Sequence, residues 1–123
     1  MRMLLAAIAL TAAAAPGMAR DRSEIPPAIE TGKPESCIPL RQISETRVHG
    51  DRTIDFVMIG RKVYRNTLPY ACPSLGFEEK FSYETSLSVL CSTDIVTVLH
   101  TTAGLERGAS CGLGQFQPVT LVK

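Results

Sequence analysis

Beyond residue 37 the chain is built of short runs of Ile, Val, Phe, Tyr and Thr broken by turn residues roughly every ten positions, a texture that predicts strands rather than helices. The clearest run is Thr53 to Ile59, where Ile54, Phe56 and Met58 alternate with Thr53, Asp55 and Val57, which assigns the first three to the core. A strand at Arg41 to Val48 and a turn at His49-Gly50-Asp51-Arg52 precede it. Gly60-Arg61-Lys62 then turns the chain into Val63 to Leu68, giving a hairpin with a doubly positive tip. After Leu68-Pro69, residues Tyr70 to Gly76 read as a loop, Lys80 to Thr85 as a strand, and Ser86 to Cys91 as a strand or a single helical turn. Asp94 to His100 carries Ile95, Val96, Val98 and Leu99 and reads as a buried strand, followed by a turn at Thr102-Ala103-Gly104. Gly108 to Val122 reads as one glycine-rich closing strand, with Gly112 and Gly114 marking a bulge or a close backbone approach. The simplest architecture is all-β: a small antiparallel sheet or partly closed barrel.

The N-terminus has a different pattern. Met1-Arg2-Met3, the uncharged apolar run Leu4 to Ala15, and Pro16-Gly17-Met18-Ala19 have the three-part layout of a secretory signal peptide, with cleavage favoured after Ala19. An apolar run of about twelve residues falls short of the roughly twenty that span a bilayer, so stable membrane insertion is not expected. Residues 20–36, with Pro26, Pro27 and Pro34 among many charges, read as a flexible leader. Residues 37–123 form the single domain, and its location is periplasmic or secreted.

Without Arg2 the mature chain holds twelve basic and twelve acidic residues, which makes nucleic acid and anionic membranes poor partners. A domain of fewer than about 100 residues buries little surface, and exported domains of that size commonly add disulfides. Cys37, Cys72, Cys91 and Cys111 allow three pairings, among which the sequence does not choose. We favour Cys72 with Cys91 and Cys37 with Cys111, a nested arrangement. Four thiolates also suit structural zinc, but the separations of 35, 19 and 20 residues contain no close ligand pair. No metal or cofactor is expected, and an even cysteine count leaves no reactive thiol.

Candidate chemistry is sparse. His49 and His100, with an aspartate, supply the side chains of a small hydrolase, yet no nucleophile elbow or metal-binding pair surrounds them. Asp94, three residues after Cys91 and directly before a strand, suits a carboxylate that accepts backbone N–H bonds. Lys62, Tyr64 and Asn66 share one face of the second hairpin strand and are a candidate binding face, since Tyr is enriched among interface anchors. A solvated outer strand face accounts for the same residues.

Tyr64-Arg65-Asn66 with Leu68, Cys72-Pro73-Ser74-Leu75-Gly76, Cys91 with Asp94-Ile95, and Cys111-Gly112-Leu113-Gly114-Gln115-Phe116 together resemble a family of small exported Gram-negative bacterial proteins, a domain of unknown function with four spaced cysteines. The resemblance spans roughly residues 37 to 119. It implies export and makes Cys72, Cys91, Asp94 and Cys111 framework positions, with no catalytic residue to carry over. The resulting expectation is a non-enzymatic exported module that binds another periplasmic protein or serves a structural role; the alternative is a small periplasmic hydrolase using His49 or His100 with an aspartate.

Overall fold

The computed structural model describes residues 24–85, 87–102 and 104–122. The expected signal peptide and its cleavage site, residues 20–23 of the expected leader, Ser86 of the expected 86–91 element and Ala103 of the expected 102–104 turn lie outside them. Among the described residues, ten strands form three antiparallel sheets around one core. In the five-stranded sheet, β1 (Ala28–Glu30), β10 (Phe116–Leu121), β5 (Val63–Thr67), β4 (Thr53–Met58) and β3 (Ile43–His49) lie side by side in that order. β2 (Cys37–Pro39) pairs with β7 (Val89–Cys91), while β8 (Ile95–His100) lies between β6 (Phe81–Tyr83) and β9 (Glu106–Gly112). A short helix, α1 (Leu75–Glu78), follows the loop after β5. Among the described residues the sheets do not close into a barrel.

The period-two pattern of β4 has the expected result: Ile54, Phe56 and Met58 are buried in the core. Aromatic edge contacts then join two of the sheets. The Phe56 ring meets Phe116 of β10 at 5.4 Å and Phe81 of β6 at 6.4 Å, both near perpendicular. Leu68, Leu75, Leu90, Val96 and Val98 complete the packing.

Besides α1, which begins inside the expected 70–76 loop, three features differ from expectation. The 28–30 segment of the proline-rich leader is an edge strand, and Glu35 also exchanges backbone hydrogen bonds with Phe116 at 2.8 Å. Its prolines flank the three paired residues and so leave the ladder intact. The single closing strand is two strands in different sheets, separated by Leu113-Gly114-Gln115. The disulfides are Cys37–Cys91 and Cys72–Cys111, so the nested pairing is overturned. β2 pairs with β7 rather than with the last strand, which sets Cys37 opposite Cys91 at a Cα separation of 4.0 Å. Cys111, opposite Val96 in β9, packs against the core, where the loop after β5 delivers Cys72.

Gly114 explains how the crossing between β9 and β10 is held. The Asn66 side chain donates to the Gly114 carbonyl at 2.7 Å and accepts the Gly114 N–H at 2.8 Å, as a ladder partner would. A Cβ on Gly114 would fall on the Thr67 carbonyl oxygen. Because backbone rather than a movable side chain blocks that position, Gly114→Ala is expected to cost about 2–3 kcal/mol. A chemical-denaturation midpoint equal to that of the parent chain would contradict it.

Candidate functional site

Asp55 lies on the face of β4 opposite Phe56, and it is fully buried. An unpaired carboxylate there would be strongly unfavourable. Its register partner Arg65 donates from Nε to Oδ1 at 2.8 Å and from Nη2 to Oδ2 at 3.0 Å, a two-pronged ion pair. Arg65 Nη2 also donates to the Pro26 carbonyl at 2.9 Å, which ties the N-terminal segment across this face. His49, two residue pairs beyond Asp55's β3 partner Arg47, places Nε2 3.1 Å from Asp55 Oδ2.

His100 sits elsewhere. Its Nδ1 lies 3.2 Å from Oε1 of Glu78, at the end of α1, so its carboxylate partner is a glutamate rather than the aspartate expected. Gly108 makes room for the ring, since a Cβ there would overlap His100 Nε2. The described contacts of each histidine include a carboxylate and no hydroxyl.

The proposed Lys62, Tyr64 and Asn66 binding face does not hold. Tyr64 is 6% exposed and Asn66 is fully enclosed, because β5 is flanked by both β4 and β10 and this side of it faces the core. Polarity suggested a wetted face, but the Asn66 amide is satisfied internally by Gly114. Lys62 alone reaches the surface, with Nζ 4.7 Å over the Tyr64 ring. The hydrogen bond with Tyr64 raises the Lys62 pKa, and the Tyr64 and Glu35 charges add to that effect against some desolvation.

Asp94 Oδ2 accepts the N–H of Cys91 at 2.7 Å, and the Asp94 N–H donates to the Cys91 carbonyl at 2.9 Å. This reciprocal pair closes the turn from β7 into β8. It also positions Asp94 at one end of a feature that sequence reading missed. On the solvent side of the β6-β8-β9 sheet is an open groove of about 380 Å³, lined by Ser82, Glu84, Thr93, Asp94, Ile95, Thr97, Arg107 and Ser110. Ser82, Thr97 and Ser110 are cross-strand neighbours, and the last two hydroxyls are 3.0 Å apart. Arg107 and Glu84 form an exposed ion pair on its rim at 3.1 Å. The alternation of Ser and Thr with core residues in three separate strands was the available signal, but it requires knowing that β6, β8 and β9 are neighbours.

All four cysteine sulfurs are consumed in the two bridges, which removes them as zinc ligands. Among the described residues no helix is long and apolar enough to cross a membrane. Two disulfides fit a protein of an oxidising compartment. No protein-family model matches the chain, and neither a curated protein nor a solved structure shows significant similarity to it.

Proposed function

We propose that the chain is an exported, non-enzymatic binding module of the periplasm, which presents the hydroxyl-lined groove on β6, β8 and β9 to another periplasmic protein. The groove carries this reading. Hydroxyls both donate and accept hydrogen bonds, so Ser82, Thr97 and Ser110 can meet a polar partner without burying an unmatched group. The rim ion pair is solvent-exposed and so worth little, which makes Arg107 and Glu84 available to new partners at small cost. The signal-like N-terminus, the two bridges and the resemblance to small exported Gram-negative proteins support the compartment.

The test is affinity capture from a periplasmic extract with the parent chain and with Ser110→Arg, which fills the groove from an exposed position. A protein recovered by the parent and lost with the variant is the expected result. Equal recovery by both would remove the groove from the account.

The hydrolase alternative draws on one observation, the contact of His49 with Asp55. It is the weaker reading because Arg65 already engages both oxygens of that carboxylate, and the described contacts of His49 include no hydroxyl to activate. Turnover of p-nitrophenyl acetate that disappears in His49→Gln would reverse this ranking.

A further inference from the structure

The outer edge of β3 is self-complementary, and we infer that it pairs with β3 of a second copy of this chain, independently of the groove. β3 terminates the five-stranded sheet, and among the described residues no strand lies on its outer side. An open strand edge is a template for another strand. The question is which strand it accepts.

The direction of its amides follows from β4. The Met58 N–H donates to the Lys62 carbonyl at 2.7 Å, and the Met58 carbonyl accepts from Arg61 at 3.1 Å, so the backbone of Met58 faces β5. Amides alternate along a strand, so Thr53, Asp55 and Val57 direct theirs to β3. Their register partners His49, Arg47 and Glu45 therefore bond inward. The N–H and C=O groups of Thr46 and Val48 point outward.

A two-fold axis through Thr46 sets two β3 strands antiparallel. Thr46 then faces its own copy as a hydrogen-bonded pair, and the ladder ends at Ser44, where β3 carries a bulge between Ile43 and Glu45. The same register places Glu45 of each copy opposite Arg47 of the other. These two side chains already form a half-exposed pair at 2.7 Å within one chain, on the same face of the strand. Opposite charges directly across a ladder stabilise it and like charges oppose it. Charges on an edge strand usually repel unrelated strands; here the order Glu45-Thr46-Arg47 repels a parallel copy and matches an antiparallel one.

Ile59, exposed, donates its N–H to the Gln42 carbonyl just before β3 begins. At the other end of β3, Gly76 at the start of α1 packs on Gly50, with its N–H bonded to Asp51 Oδ1 at 2.8 Å. Antiparallel pairing brings the Ile59 end of one copy beside the α1 end of the other, twice. Edge-to-edge pairing buries less than a standard interface, which places the dimer among weak associations.

Sedimentation equilibrium of the oxidised protein, at concentrations up to about 1 mM, tests the inference in the range where a small interface of this kind forms. The parent chain is expected to show a concentration-dependent dimer. Thr46→Pro removes only an outward N–H, so it should abolish the dimer and leave the far-ultraviolet circular dichroism unchanged. Glu45→Arg and Arg47→Glu should each weaken association by about tenfold or more. Combining the two reversals in one chain, or mixing the two single variants, restores opposite charges at every pair and should restore dimerisation. A parent chain that stays monomeric, a dimer that Thr46→Pro leaves intact, or a double reversal no tighter than the single ones would overturn it.

Discussion

Replacing Cys72 and Cys111 together by alanine is expected to lower the unfolding free energy by about 4 kcal/mol or more. This bridge spans a sequence separation of 39. In the chain-entropy account, closing a loop of that size contributes about 4 kcal/mol. Cys72 is also fully buried in the core, so two alanines lose packing in addition to the bridge. Small domains have only about 5–15 kcal/mol in total, so the variant should be largely unfolded at modest urea concentrations. The Cys37–Cys91 bridge closes a longer span, 54, but Cys37 is exposed and the ribbon it joins has three residues per strand. A reductant should therefore reach Cys37–Cys91 first, with Cys72–Cys111 resisting until the fold opens. Urea unfolding followed by circular dichroism checks the first claim, and a loss below about 1 kcal/mol would contradict it.

Asp55→Ala should be nearly as damaging, by about 3–5 kcal/mol, because removing one partner of a buried ion pair leaves the other uncompensated. The uncompensated group is the Arg65 guanidinium, whose side chain is only 15% exposed. Arg65 also holds Pro26, so its reorientation should loosen β1 and raise amide exchange at Ile29. Replacing both partners, as Asp55→Leu with Arg65→Met, removes the charges together, and stability should return to within about 1 kcal/mol of the parent. If the double variant were as unstable as Asp55→Ala, the ion pair would not be the source of the loss.

What the sequence revealed and what it concealed divide along a physical line. Period-two alternation is local, so β4 and its core residues, the β4–β5 hairpin and the β8 strand could be read directly, but β8 is buried on one face only, with Val96 and Val98 enclosed and Ile95 exposed. Gly114 was also readable as a position of close approach, though not what it approached. The disulfide pairing is a property of strand neighbours, and nothing near Cys37 indicates that β2 lies against β7. Tyr64 and Asn66 were misplaced for a related reason. A strand between two partners can turn polar residues inward if another segment satisfies them, and Asn66 does this through a residue 48 positions away. Asp55 reads as a solvent-facing alternate of β4, yet the opposite face of that strand is also covered, and Arg65 makes its burial tolerable. β1 was hidden because three paired residues between prolines leave almost no periodic signal.

The central claim is that an oxidising compartment fixes this fold through two particular sulfur bridges. Each cysteine falls on a different tryptic peptide, because Arg41, Lys80 and Arg107 separate them along the chain. Mass spectrometry of a non-reduced digest of protein purified without reductant therefore distinguishes all three pairings. The account predicts the peptide containing Cys37 joined to that containing Cys91, and the peptide containing Cys72 joined to that containing Cys111. Free thiols at these positions, or Cys72 joined to Cys91, would contradict it.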